Sequence, residues 1–234
     1  MKKLLMLPLL LGAACSPASA QTGPFHYGIK VGGNLSTYDG GNGGQYSAGY
    51  KPSFSAGVVG NYHLAQRLAL QVEVLYSQKG VFVDNYRYRY YTPTSPLGVL
   101  TTSRYRSTLA YLDVPLLAKV STGLAGRGLY LEIGPQLSLP LGQREYVATF
   151  NDSGSNYAET ISTDRSALTP LALGYATGLG YQFGWGLGLG FRYTADFTHV
   201  YRDSAGPGSA GIATDTNFHN TVFQLQAQYL FGSN

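Results

Sequence analysis

Lys30, Glu73, Lys79, Asp113, Lys119, Glu132, Arg192 and Asp196 all fall on the polar parity of alternating, extended stretches of the chain. In such stretches successive side chains point to opposite faces, so residues two apart share one. Four of these groups are cationic and four anionic. Counting residues from the short connections puts Lys30, Glu73 and Arg192 at similar heights, with Asp113 slightly higher and Glu132 near Lys119 lower. Opposed charges at one level of a narrow interior can pair and lock it. They can also line a thin pathway for ions or water, gated by breaking a pair.

A second constellation lies outside that set. Tyr86-Arg87-Tyr88-Arg89-Tyr90-Tyr91 alternates arginine with tyrosine, and Arg104 and Arg106 begin the return of the same connection. Guanidinium forks match phosphate geometry, and tyrosine rings stack on sugars or sit at headgroup depth. The chemistry fits contact with outer-leaflet glycolipid phosphates, a surface polysaccharide or a protein partner, against a plain reading as an aromatic girdle with solvated charge. His199 and His219 continue the apolar parity near the ends of adjacent strands, where paired imidazoles could bind a metal or act as a base in lipid hydrolysis. Asp203 and Ser204 follow closely, but no triad spacing is legible, and the expectation is interfacial histidines with no catalytic residue and no metal. Gly178-Leu179-Gly180, Gly186-Leu187-Gly188 and Gly190 imitate a nucleotide loop, yet no helix follows them. No cofactor is expected.

Eight stretches must position these residues. They run from about Phe25 to Ser36, Ser53 to His63, Leu68 to Lys79, Leu109 to Val120, Leu129 to Leu141, Leu168 to Phe183, Leu187 to Phe197, and Thr221 to Phe231. In the last, Phe223, Leu225, Ala227, Tyr229 and Phe231 oppose Val222, Gln224, Gln226, Gln228 and Leu230. The connections alternate long and short: 37–51, 64–67, 80–107, 121–128, 142–167, 184–186 and 198–218. That order predicts an all-β fold, an eight-stranded antiparallel transmembrane up-and-down β-barrel, with both termini periplasmic and four long loops extracellular. A soluble lipocalin-type barrel would turn its apolar face inward and show lysine and glutamate to water. Here the polar face is mostly Gly, Ser, Asn and Gln, which suits a narrow lumen without room for an open solute channel. Trp185, in a short turn, reads as an interfacial anchor.

Composition agrees. Thirty-one glycines, twenty tyrosines and 12% charged residues are unusual for a soluble domain, where about a quarter are charged. Lys2 and Lys3, the apolar run Leu4 to Ala14 and the site Ala18-Ser19-Ala20 predict a signal peptide over residues 1–20 and a mature barrel over 21–234. The lone Cys15 lies within that leader, so the mature chain would have neither disulfides nor thiolate metal sites. Gly12-Ala13-Ala14-Cys15 also resembles a lipoprotein box, with Gly12 where Leu is usual. The formal charge of +4, lowered by two without the leader, is too small to argue for nucleic acid.

Phe223, Leu225, Tyr229 and Phe231 resemble the C-terminal signal that barrel-insertion machinery reads in Gram-negative outer-membrane proteins, here followed by Gly232-Ser233-Asn234. Gly28-Ile29-Lys30-Val31-Gly32-Gly33-Asn34-Leu35, Tyr111-Leu112-Asp113-Val114-Pro115-Leu116-Leu117, Ile133-Gly134-Pro135 and Tyr229-Leu230-Phe231 together resemble the PorT-type outer membrane protein beta-barrel domain family, loosely called porin-like. The resemblance covers essentially the whole mature chain. It implies the barrel and its outer-membrane location, carries little chemistry, and permits an accessory role in protein secretion. The expectation is a non-enzymatic, monomeric surface-loop scaffold for binding, envelope support or secretion. It would touch outer-membrane lipid, lipopolysaccharide and an extracellular or secretion-system protein. A narrow ion or small-solute channel and a lipid-modifying outer-membrane enzyme are the alternatives.

Overall fold

The computed structural model describes residues 24–40, 48–92, 95–151, 157–163, 166–202 and 218–232. The leader with Cys15, and Asp203 and Ser204, lie outside the described residues. Among them nine strands form: β1 (Phe25–Gly40), β2 (Ala48–Ala65), β3 (Leu68–Thr92), β4 (Ser95–Ser121), β5 (Gly128–Asn151), β6 (Tyr157–Ser162), β7 (Ala172–Gln182), β8 (Leu187–Asp196) and β9 (Phe218–Phe231). Eight of them make a ring in the order β4-β3-β2-β1-β9-β8-β7-β5, closed by the β4–β5 ladder. Every pairing is antiparallel, and the seam runs from Tyr27 opposite Phe231 to Gly40 opposite Phe218. β6 pairs only with Glu145–Phe150 of β5 and forms a hairpin beyond the ring.

The alternation decides which side is which. Ile29, Val31 and Leu35 of β1 are exposed, while Lys30, Asn34 and Ser36 between and beyond them are buried. Leu225 is 72% and Leu131 66% exposed on the outer wall. An apolar exterior around a polar interior inverts a water-soluble fold, and hydrocarbon is the solvent that removes its cost. Closure satisfies the backbone as well, because each ring strand bonds to neighbours on both sides. No helix of the described residues is long and apolar enough to cross a membrane.

The structure corrects two of the connections. Residues 80–107, read as a link, continue β3 to Thr92 and return in β4 from Ser95. Residues 142–167 likewise contain the end of β5 and all of β6. Inward alternation persists there through Val81, Val83, Tyr105, Ser107 and Val147. The outer positions turn polar, which hid the strands. β7 begins at Ala172 rather than Leu168, because Leu168 pairs with Tyr201 across the mouth of the ring.

One defect in the ladder matters for function. Ala110 faces Gly142 and Tyr111 faces Pro140, leaving Leu141 as an extra residue in β5. An extra residue in one strand reverses which side chains point inward beyond it. Below the bulge Leu137 and Leu139 face out; above it Arg144 faces out, while Gln143, Glu145 and Val147 are buried.

Candidate functional site

The interior of the ring is built from the polar parity of its strands. Arg192 of β8 donates from both terminal nitrogens to Glu73 of β3, at 2.7 and 2.8 Å, and from Nε to Oε1 of Glu132 of β5 at 2.7 Å. Gly178 of β7 lies in register between Arg192 and Glu132, and a Cβ there would stand 3.0 Å from Glu132 Oε1. Glycine at that point clears the path for the guanidinium. Lys30 Nζ donates to Glu73 Oε1 at 2.6 Å, as does Gln71 Nε2 at 2.5 Å. Lys119, cross-strand from Glu132, reaches Gln71 Oε1 at 3.4 Å and covers the Tyr130 ring at 3.8 Å.

A separate set lies farther from the short turns. Lys79 Nζ pairs with Asp113 at 3.0 Å and Asp196 at 3.9 Å, donates to Ser138 Oγ at 3.1 Å, and sits 4.7 Å from the Tyr111 ring. Asn220 donates to Asp196 at 3.2 Å. The structure therefore gathers Lys30, Glu73, Glu132 and Arg192 into one network and Lys79, Asp113 and Asp196 into another, with Lys119 joined to the first through Gln71.

Above both, at the long-loop end, the interior becomes aromatic and apolar. Leu109, Tyr111, Leu168, Val200 and Tyr201 form one cluster, and Val81, Val83, Tyr105 and Val147 another, with Tyr38 against both. Tyr105 and Tyr201 donate to Glu145 Oε1 at 2.7 and 2.8 Å. Burial, then the neighbouring Tyr105 and Glu145, push the Tyr201 phenol well above its ordinary range, so it stays a donor. Glu145 escapes a sequence reading because strict alternation from Leu139 assigns it to the outside; only the bulge turns it in.

The outer wall carries the second constellation. Above its apolar row, β4 presents Thr108, Arg106 and Arg104, opposite Arg144, Tyr146 and Ala148 of β5. The Arg106 guanidinium lies 4.9 Å from the Phe82 ring and that of Arg104 lies 5.5 Å from Phe150. A concavity of about 360 Å³ is lined by the three arginines with Thr108, Tyr146, Ala148 and Phe150. Arg144 is the member that sequence reasoning missed. Tyr86, Arg87, Tyr88, Arg89 and Tyr90 belong to β3 by backbone register, and their side chains lie outside the described residues.

The His199 and His219 rings are 4.8 Å apart, and His219 faces Asp39 across the seam. Among the described residues no three His, Cys, Asp or Glu side chains are placed to hold a metal ion. Phe223, Leu225, Tyr229 and Phe231 form the outer row of β9, where Phe223 packs on Tyr193 and Phe231 on Tyr27. Trp185 stands beside Phe183, which meets Tyr181, in an aromatic group at a short turn.

A closed eight-stranded ring, apolar outside and charge-paired within, defines a transmembrane β-barrel protein. The chain belongs to the "Outer membrane protein beta-barrel domain" family, whose model matches residues 19–202, and is a protein of the outer membrane. Among solved structures it is similar to the Neisserial surface protein A NspA, at 14% identity and TM-score 0.40, covering 87% of this chain and 96% of that one. It is similar also to Ail, the attachment invasion locus protein of Yersinia pestis, at 10% identity and TM-score 0.41, covering 88% and 98%. OprG of Pseudomonas aeruginosa aligns at 12% identity and TM-score 0.38, covering 88% and 94%. Among curated proteins nothing matches.

Proposed function

We propose that this protein is a closed, non-enzymatic scaffold that holds its short turns in the periplasm and displays its long connections, above all the β3–β4 and β5–β6 hairpins, outside the cell for binding. The observation that carries this reading is the filled lumen: Arg192 and Lys79 have no solvent exposure, each paired with two carboxylates. An ion crossing here would have to separate those pairs, and leaving one buried charge unpartnered costs about 3–5 kcal/mol. It would then meet the Leu109, Leu168 and Val200 layer, whose apolar side chains offer no replacement ligands and beside which Tyr105, Tyr201 and Glu145 are bonded to one another.

The outward aromatic row of β9 is the face that insertion machinery would read, and a ring without free edges favours a monomer in lipid. The PorT-type resemblance supports an accessory role in secretion as one use of such a display, beside adhesion or envelope support.

Single-channel recording of the refolded chain in planar bilayers tests the reading. Silence is expected from the native protein and from an Arg192→Ala, Glu73→Gln variant, in which the Arg192 pairs are gone but the Lys79 pairs and the aromatic closure remain. Steady current from the native protein, altered in that variant, would make the charged lumen a pathway and the scaffold reading wrong.

A further inference from the structure

We infer that Arg104, Arg106 and Arg144 form a binding site for the phosphate groups of an outer-leaflet glycolipid. Three observations converge on that ligand. The first is position. Arg144 stands three residues beyond Leu141, the last leucine of the outer row of β5. At roughly 3.4 Å per residue and a strand tilt of about 40°, it lies some 8 Å above Leu141, at the outer edge of a headgroup layer about 5–8 Å deep. Arg106 and Arg104 follow at successive steps above it, because Thr108 faces Arg144 while Arg106 faces Tyr146.

The second is chemistry. Each guanidinium offers a planar fork that binds phosphate oxygens in pairs and keeps its charge at any physiological pH. Among the described residues, those lining the concavity include three such forks, the Tyr146 and Thr108 hydroxyls, and no carboxylate. Glu159 of β6 is opposite Ala148 by backbone register, and its side chain lies outside the described residues. Glu145, the acid nearest in sequence, is turned into the lumen by the bulge.

The third is preparation. Phe82 and Phe150 each lie under one guanidinium, which limits the rotamers that binding would otherwise have to freeze. A sugar headgroup seated in the concavity of about 360 Å³ would meet Arg144 first, with the long side chains of Arg106 and Arg104 reaching down to its phosphates from the steps above.

The test uses the full chain refolded into phosphatidylcholine nanodiscs that contain a minor fraction of either diphosphoryl lipid A or the same lipid enzymatically dephosphorylated, with retained glycolipid counted by native mass spectrometry. Retention of the diphosphoryl form should exceed that of the dephosphorylated form by about tenfold, a tenfold ratio being the scale of one good charge-assisted pair. It should fall by a similar factor in Arg104→Gln/Arg106→Gln/Arg144→Gln. Arg67→Gln, which removes one arginine charge, as each single variant does, but in a short turn, should leave it unchanged. If the triple variant does not fold, the three single variants decide: undiminished retention in all of them overturns the site. Equal retention of both lipids overturns the phosphate assignment. Capture of a soluble sulfated polysaccharide or of inorganic phosphate by the same arginines, without glycolipid retention, overturns the lipid as its source.

Discussion

Arg192 is held by carboxylates from two other strands, and that division makes it hard to replace. Removing it leaves Glu132 without its guanidinium and Glu73 with Lys30 and Gln71 alone, both carboxylates being buried. Arg192→Leu is therefore expected to cost about 3–5 kcal/mol in urea unfolding from detergent or lipid. Lys30→Met should cost less, because Glu73 would keep both Arg192 bonds and the one from Gln71. Combining Arg192→Leu with Glu73→Gln should be less damaging than the sum of the two, since the second change removes a charge that the first left alone. Strict additivity would show that the network is incidental. The heights of Lys30, Glu73 and Arg192 were legible in the sequence because their strands run without interruption between short turns, where one residue means one step. The layer above was not: Tyr201 arrives from a segment outside the alternation, and its partner Glu145 lies beyond the bulge.

At the scale of elements, the pairing of β5 with β4, which absorbs Leu141 as an extra residue, sets what the upper barrel shows to each side. Deleting Leu141 would remove the bulge and leave every pair above it as it is, from Gly142 opposite Ala110 onward, so Arg144 would stay outward and Glu145 inward. Tyr105 and Tyr201 would keep their acceptor. Limited proteolysis is expected to give the same digest from the native and the deletion protein; a new cut in the β5–β6 hairpin of the deletion variant would mean that the bulge itself is needed to hold the register. Period-two reading finds strands where one face is apolar and the other small and polar. It loses β6 and the far ends of β3, β4 and β5, whose outer positions, such as Arg104, Arg106 and Arg144, are polar too. The eight strands of the ring were thus visible from their lipid-facing rows, and the hairpins above them were not, because water rather than lipid covers their outer face.

For the molecule as a whole, closure is the dominant fact. With every ring strand bonded on both sides, detergent has no edge at which to begin. Unboiled protein should migrate differently from boiled protein on a detergent gel. Leu225→Pro should abolish the difference, because Leu225 lies in ladders with both Gly33 and Phe191 and proline removes a donor in the middle of the sheet. A shift that survives this change would mean that the seam is not what resists detergent. The same seam governs timing. β1 emerges first and must wait for β9, so the bond that completes the wall joins segments nearly the whole chain apart. Throughout synthesis and transit the polypeptide carries two unmatched margins with greasy rows beside them, in water, with no local way to hide either. Custody by other proteins during that interval is as much a requirement of this architecture as the lipid that finally receives it.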